Sequence, residues 1–242
     1  MFKGFPSKRG QFNGFPNLNF QINNGAYGFS GLIHWYDAAY GTNTQTNGAA
    51  ITSWQPRVGP YSFLQSTAAN QPRFSLSDVY FNSYPAIDFY DTARGMTSQS
   101  PLLMGSKVSI AFVGYIYSIS TNFNLIIYNT TVASYYLVFG GNNANVTGIG
   151  IYNDTASFVL RTTIENMLPH IVIFTSQNII VDGVVAASGT LSYPVAYNRL
   201  SGTAASGAFN GKMAELLIYN QDLDSNKAIA LSDNLNAKYA IY

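Results

Sequence analysis

"GKMAELLIYNQDLDSNKAIALSDNLNAKYAIY", Gly211 to Tyr242, joins a strand, a turn and a helix. Met213 to Tyr219, which contains Glu215, reads as one more strand. Asn220 to Leu223 carries turn residues, and Asp224 is placed to accept the free amides that open a helix. Beyond it Ala228, Leu231, Leu235 and Tyr239 recur at three- or four-residue steps with Ile229 alongside. That stripe faces the protein, and Lys227, Asp233, Asn234 and Lys238 are expected to face solvent. The segment predicts an amphipathic helix of about two to four turns closing a sheet protein.

Upstream of this segment the chain is built from short β-branched and aromatic runs separated by turn residues, the pattern of a sandwich or barrel. In "KVSIAFVGYIY", Lys107 to Tyr117, Val108, Ile110, Phe112 and Ile116 share one face, and Ser109, Ala111, Val113 and Tyr115 share the other. Both faces are largely apolar, so the strand is central, with one face in the core and an aromatic-rich face outward or against another layer. Further strands are predicted at Phe123 to Tyr128, Tyr135 to Phe139, Gly148 to Tyr152, Ser157 to Arg161 and His170 to Thr175. In "NIIVDGVVAASG" two β-branched runs flank Asp182-Gly183, whose tolerance of positive φ suits a type I′ hairpin turn. Turn formation explains Asp182 without a ligand.

With these elements in place the chain resembles the laminin G-like, concanavalin A-like lectin-glucanase family over roughly Gly31 to Ile241. "GLIHWYDAAYGT" with "AAITSWQP" resembles the family's opening strand and its later Ser-Trp turn. "ANQPRF" and "YPAIDFYD" resemble the two segments that follow, and "IIVDGVVAASG" its Asp-Gly hairpin. The closing strand, turn, cap and helix match in the family's order. The resemblance implies an all-β fold, an antiparallel two-sheet jelly-roll sandwich with a short C-terminal helix. Gln55-Pro56 stands where the family often has an acidic residue after the Trp, and Lys227 where it often has a Glu. Some relatives bind calcium through carboxylates; Asp88, Asp91 and Asp154 are the candidates, none matched residue by residue to the family's ligands. No metal site or cofactor is assigned.

The chain has 242 residues, enough for one large β domain or two small ones, and for a sizeable core. Aromatics make up 15% and charged residues only 10%, against the ~25% charged residues of an average soluble domain. Asn, Ser, Thr and Tyr must supply much of the polar surface. A net charge of +1, with 12 Lys and Arg spread along the chain, gives no basic groove for nucleic acid and no field toward an acidic membrane. There is no cysteine, which excludes disulfides, thiolate metal sites and thiol nucleophiles. No signal-like h-region and no apolar run long enough to span a bilayer is present.

Catalytic constellations are scarce. Glycosidases of this fold need two carboxylates about 5 to 10 Å apart. The only glutamates are Glu165 and Glu215, and the Glu-x-Asp-x-Glu strand motif of the glucanases is absent. The only histidines, His34 and His170, read as core or strand-end residues, and no Gly-x-Ser-x-Gly elbow accompanies them. "GGNNANVTGIG", Gly140 to Gly150, lacks the ending of a phosphate loop. The Asn-x-Thr sequons at Asn129, Asn145 and Asn153 carry glycans only in a eukaryotic secretory pathway. No catalytic residue is assigned, and the chain is expected not to be an enzyme; a third reading, after the two functional expectations below, is a glycosidase with an unfamiliar acid pair that includes Glu165.

Residues 1–30 form an extended arm, separate from a jelly-roll domain over 31–242. "FKGFP" (Phe2, Lys3, Phe5, Pro6) recurs ten residues on as "FNGFP" (Phe12, Phe15, Pro16), with Lys8 and Arg9 between them. The arm either lies against the protein's own sheet or docks two aromatic plugs into other virion or assembly proteins or a neighbouring copy. The first functional expectation is a non-enzymatic structural protein at a virion surface, on the capsid or tail of a bacteriophage, held by this arm. The alternative is a carbohydrate-binding or adhesion module, extracellular or displayed on such a particle. It would recognise cell-surface glycans through loop aromatics, with Trp54, Tyr61 and Tyr84 as contacts.

Overall fold

Strand pairing sorts the strands into two layers. A computed structural model describes residues 26–90, 94–103, 107–117, 124–129, 135–139, 148–153, 158–164, 167–190, 196–201 and 209–242. The N-terminal repeat, Glu165, Asp91, Asp154 and Asn145 lie outside these residues. The strands are β1 Leu32–Asp37, β2 Ser53–Trp54, β3 Phe63–Leu64, β4 Arg73–Ser75, β5 Ala86–Asp88, β6 Met96–Leu103, β7 Ser109–Ile116 and β8 Asn124–Tyr128. They continue as β9 Tyr135–Phe139, β10 Gly148–Asn153, β11 Phe158–Thr163, β12 Pro169–Phe174, β13 Asn178–Val181, β14 Val184–Ser188, β15 Ala196–Leu200 and β16 Gly211–Tyr219. The helix α1, Ser225–Tyr239, closes the chain.

Two antiparallel eight-stranded sheets result. The first runs β14-β13-β12-β7-β16-β5-β4, with β1 also paired to β16; the second runs β11-β10-β9-β8-β15-β6-β3-β2. Ile110, Phe112 and Ile218 of the first sheet meet Ile127, Ile151 and Leu200 of the second in one buried core. This is an all-β sandwich with a C-terminal helix. As the alternation in Lys107 to Tyr117 predicts, the other face of β7 belongs to a second apolar layer, in which Ala111 and Val113 join Leu231, Leu235 and Tyr239 of α1. The helix therefore lies on the outer face of the first sheet. Asp224 caps it by accepting from the Lys227 amide at 2.9 Å. At the β13–β14 turn Asp182 and Gly183 have φ of 49° and 77°, the left-handed pair a type I′ turn requires.

Lys238 departs from the solvent-facing role its helical position predicts. Its ammonium turns inward to Glu215 (2.9 Å) and Asp37 (3.2 Å), which face each other across β16 and β1. Glu215 has no exposed surface. It also accepts from the Trp35 indole (2.6 Å), the Tyr239 hydroxyl (2.6 Å) and the Tyr27 hydroxyl (2.9 Å). Burial works against the Lys238 charge, yet Glu215 and then Asp37 outweigh it and hold its pKa above the ordinary lysine value. Burial, followed by the Glu215 charge, raises the Tyr27 and Tyr239 phenols well above theirs.

Glu215→Ala removes a buried carboxylate from an ammonium and three neutral donors, and is expected to cost about 3–5 kcal/mol in urea unfolding. Alkaline pH should act on the same cluster. The unfolded chain releases the Lys238, Tyr27 and Tyr239 protons at lower pH than the fold does, so stability falls as pH rises above about 10. A melting temperature unchanged between pH 9 and pH 11 would contradict this.

His34 is a buried core residue whose Nδ1 has no hydrogen-bond partner, and desolvation lowers its pKa to about 4. Gly59, at φ 109°, lies against it where a Cβ would come within 2.5 Å of that nitrogen. The unfolded chain takes up the imidazole proton first, so stability falls as pH drops from about 6.5 toward 4, by up to about 3 kcal/mol. Urea titrations of wild type and His34→Gln should show a shallower acid slope in the variant.

Candidate functional site

Along β16 the residues on the outer face are Lys212, Ala214, Glu215, Leu217 and Tyr219. At the Glu215 end the surface is closed by α1. At the Lys212 end tyrosines take over. Lys212 bonds Asp78, which also accepts from Ser75 Oγ at 2.9 Å and the Tyr80 amide at 3.1 Å. Asp78 thereby caps the short 3-10 turn Val79–Phe81 and pins it over the sheet.

That turn lays Tyr80 flat on Tyr115, with ring centroids 3.8 Å apart. Tyr115 meets Tyr117 edge-on at 5.2 Å, and Tyr117 meets Tyr90 in the same manner at 5.2 Å. The Lys212 ammonium sits 5.5 Å from the Tyr80 ring centre and 5.8 Å from that of Tyr117. Asp88, opposite Lys212 on β5, accepts from the Tyr117 hydroxyl at 3.0 Å and the Tyr90 amide at 2.8 Å. The run passes from Tyr80 through a fully buried ring, Tyr115, and ends at Tyr90, which is 57% exposed.

Burial first, and then Tyr80, pushes the Tyr115 phenol up to about 12; burial and then Asp88 push Tyr117 higher still. Both keep their protons at neutral pH, so Tyr117 is a fixed donor to Asp88. The outcome is a rigid aromatic ledge with a cation and a carboxylate at its base. Such a ledge can stack the apolar face of a flat ring and offer hydrogen bonds at its rim.

The predicted contact residues fall elsewhere. Trp54 is wholly buried against Tyr36 and donates to the Asp37 carbonyl at 3.1 Å, so it has no ring face for a sugar. Tyr61 packs half-buried against the core, and Tyr84 stands edge-on to Tyr239 at 5.5 Å with Lys238 beside its ring. His170 Nδ1 lies 2.7 Å from Asp182 Oδ2, tying the hairpin turn to the head of β12. Both carboxylate oxygens of Asp88 are engaged as described. Among the described residues no three His, Asp or Glu side chains form a group that could hold a metal, and no helix is long and apolar enough to cross a membrane. The tyrosine ledge itself was not legible, because Tyr80, Tyr90, Tyr115 and Tyr117 come from three separate segments whose strand pairing brings them together.

No family model matches the chain, and no curated protein matches it. Solved structures do. A Trypanosoma rangeli sialidase, in complex with 2,3-difluorosialic acid, matches with a TM-score of 0.54 at 12% identity, covering 86% of this chain and 33% of the sialidase. Domain 4 of AbnA, a GH43 extracellular arabinanase from Geobacillus stearothermophilus in complex with arabinotriose, matches with a TM-score of 0.53 at 15% identity, covering 83% of this chain and 98% of that domain. The binding domain of Paraclostridial Mosquitocidal Protein 1 matches at 0.53 and 8% identity, covering 84% of this chain and 52% of the other. The expectation that the chain is not an enzyme is overturned by these matches, since the sialidase and the arabinanase are glycoside hydrolases. At such identities the likeness shows a shared β-sandwich fold, which here spans a third of the sialidase and one domain of the arabinanase.

Proposed function

We propose that the chain is a carbohydrate-binding β-sandwich module that holds a glycan on the tyrosine ledge at the Tyr90 and Tyr117 end of the first sheet. The observation that carries this reading is the run of four contacting tyrosine rings that emerges from a buried anchor to an exposed ring between Lys212 and Asp88. A sugar presents one apolar C–H face and a rim of hydroxyls. Tyr90 and Tyr117 suit the face, and the phenol and ammonium groups suit the rim.

The fold supports the same reading. Domain 4 of the arabinanase, almost all of which is matched here, is a separate unit that holds arabinotriose. A virion structural role, the first expectation from composition and the repeated arm, finds no support in the similar structures. The glycan-binding alternative takes its place.

Tyr90 is exposed, so Tyr90→Ala should leave unfolding within about 0.5 kcal/mol of wild type. The same change is expected to weaken binding of neutral oligosaccharides, arabinotriose among them, by about tenfold or more in calorimetric titration. A correctly folded wild-type protein that binds nothing on a broad glycan array defeats the proposal.

A further inference from the structure

The second sheet carries a different feature on its outward face. Strand pairing aligns one residue from each neighbouring strand into a transverse row: Leu64 opposite Thr97, Thr97 opposite Arg199, and Arg199 opposite Tyr128. The backbone positions of Tyr136 and then Tyr152 continue it. Directly paired residues share a face. Leu64 and Thr97 are exposed, whereas the adjacent row, Met96, Leu200 and Ile127, is fully buried in the core. The Arg199 row is therefore on the outside of the sandwich. Its middle is more shielded than its side: Tyr128 is only 6% exposed beside half-buried Arg199, while Leu64 is 39% exposed.

Among the described residues the Arg199 side chain has no acceptor. Its Nε is buried without a hydrogen-bond partner, and among the described residues no carboxylate forms an ion pair with its guanidinium. A buried donor without a partner costs about 1–3 kcal/mol, and more when it is charged. Among the described residues Lys212 and Lys238, also turned inward, each have a carboxylate within bonding distance, whereas Arg94 shares with Arg199 a buried Nε without a partner.

We infer that Arg199 is the anchor of an anionic subsite, and that the ligand group it takes is the carboxylate of an acidic sugar. The guanidinium fork fits a planar carboxylate with two parallel hydrogen bonds. One guanidinium balances one negative charge, which a carboxylate carries and a phosphate exceeds. The Thr97 hydroxyl on one side and Tyr128 on the other bound the space for the sugar body. This inference rests on the reading of the chain as a glycan-binding module, but it concerns the other sheet and a different chemistry.

The test is calorimetric titration at low salt with two pairs of probes: oligogalacturonate against its methyl ester, and sialyllactose against lactose. The acid of at least one pair is expected to bind about tenfold or more tightly than its neutral partner, and the pair that responds identifies the source of the carboxylate. Arg199→Gln should abolish that preference, and Arg199→Lys should restore it only in part, because an ammonium keeps the charge without the fork. Binding of neutral glycans at Tyr90 should persist in both variants. Because Arg199 has no ion-pair partner among the described residues, Arg199→Gln is also expected to keep the wild-type melting temperature.

A preference that survives Arg199→Gln overturns the inference, as does a large drop in the melting temperature of that variant. Neutral glycans bound with no acid preference in either pair overturn the inference and leave the module reading intact. Failure of every glycan to bind the wild type removes both.

Discussion

The buried Glu215 carboxylate is the constraint around which the outer layer is assembled. An ion taken out of water costs several kcal/mol unless its lone pairs are met. Here they are met from three parts of the chain: Tyr27 ahead of β1, Trp35 on β1, and Lys238 and Tyr239 in the last turn of α1. None of these donors is local to β16. The carboxylate can stay buried only if the first strand and the closing helix arrive together. Asp37 adds a second negative charge at the same place, and Arg57, stacked over Trp35 and 3.6 Å from Asp37, brings a second positive one. The cluster is thus balanced in charge and joins the beginning of the sandwich to its end.

This arrangement also decides what the surface can offer. With 12 basic and 11 acidic residues in the chain, charges drawn inward are a material fraction of the whole. Glu215, Asp37, Lys238, Asp78 and Lys212 are all held in or beneath the aromatic layer. Around the ledge, among the described residues, what remains outside is mainly ring and hydroxyl, from Tyr80, Tyr90 and Tyr117. A ligand approaching such a surface meets stacking faces and neutral hydrogen-bond partners, which are the contacts a neutral glycan uses. The polar residues near the head of α1 offer less, since Asn178, Ser188 and Ser225 already bond one another.

Much of the fold could be read from the sequence because its signals are local. The two faces of Lys107 to Tyr117, the Asp182-Gly183 turn and the Asp224 cap each depend on neighbours within a few residues. The stripe Ala228, Leu231, Leu235 and Tyr239 is buried as its spacing predicts. Strands β6 and β15 were not legible. Met96–Leu103 is rich in Ser, Thr and Gln and contains Pro101, and its identity comes from the partners it finds. Lys238 was misread for the same reason: helical spacing places it beside solvent, but a buried carboxylate on a distant strand draws it in. Trp54 suited a sugar contact by residue type alone, and its burial follows from the packing of Tyr36 and Phe63 around it.

The two surfaces singled out by this geometry face opposite ways. Tyr115 and Tyr117 stand on the outer side of the first sheet, and Arg199 on the outer side of the second. Packed sheets are about 10 Å apart, and the side chains on each outer face add to that separation. One monosaccharide cannot touch both. A ligand engaging the ledge and the arginine together must pass around an edge of the sandwich, as a long or branched glycan can and a trisaccharide cannot. The second contact would then be intramolecular and would raise affinity through effective concentration, without any new interaction at the first. On the proposed reading, short neutral sugars would report on the ledge alone and short acidic ones on Arg199, while a polymer carrying both chemistries would respond to the loss of either.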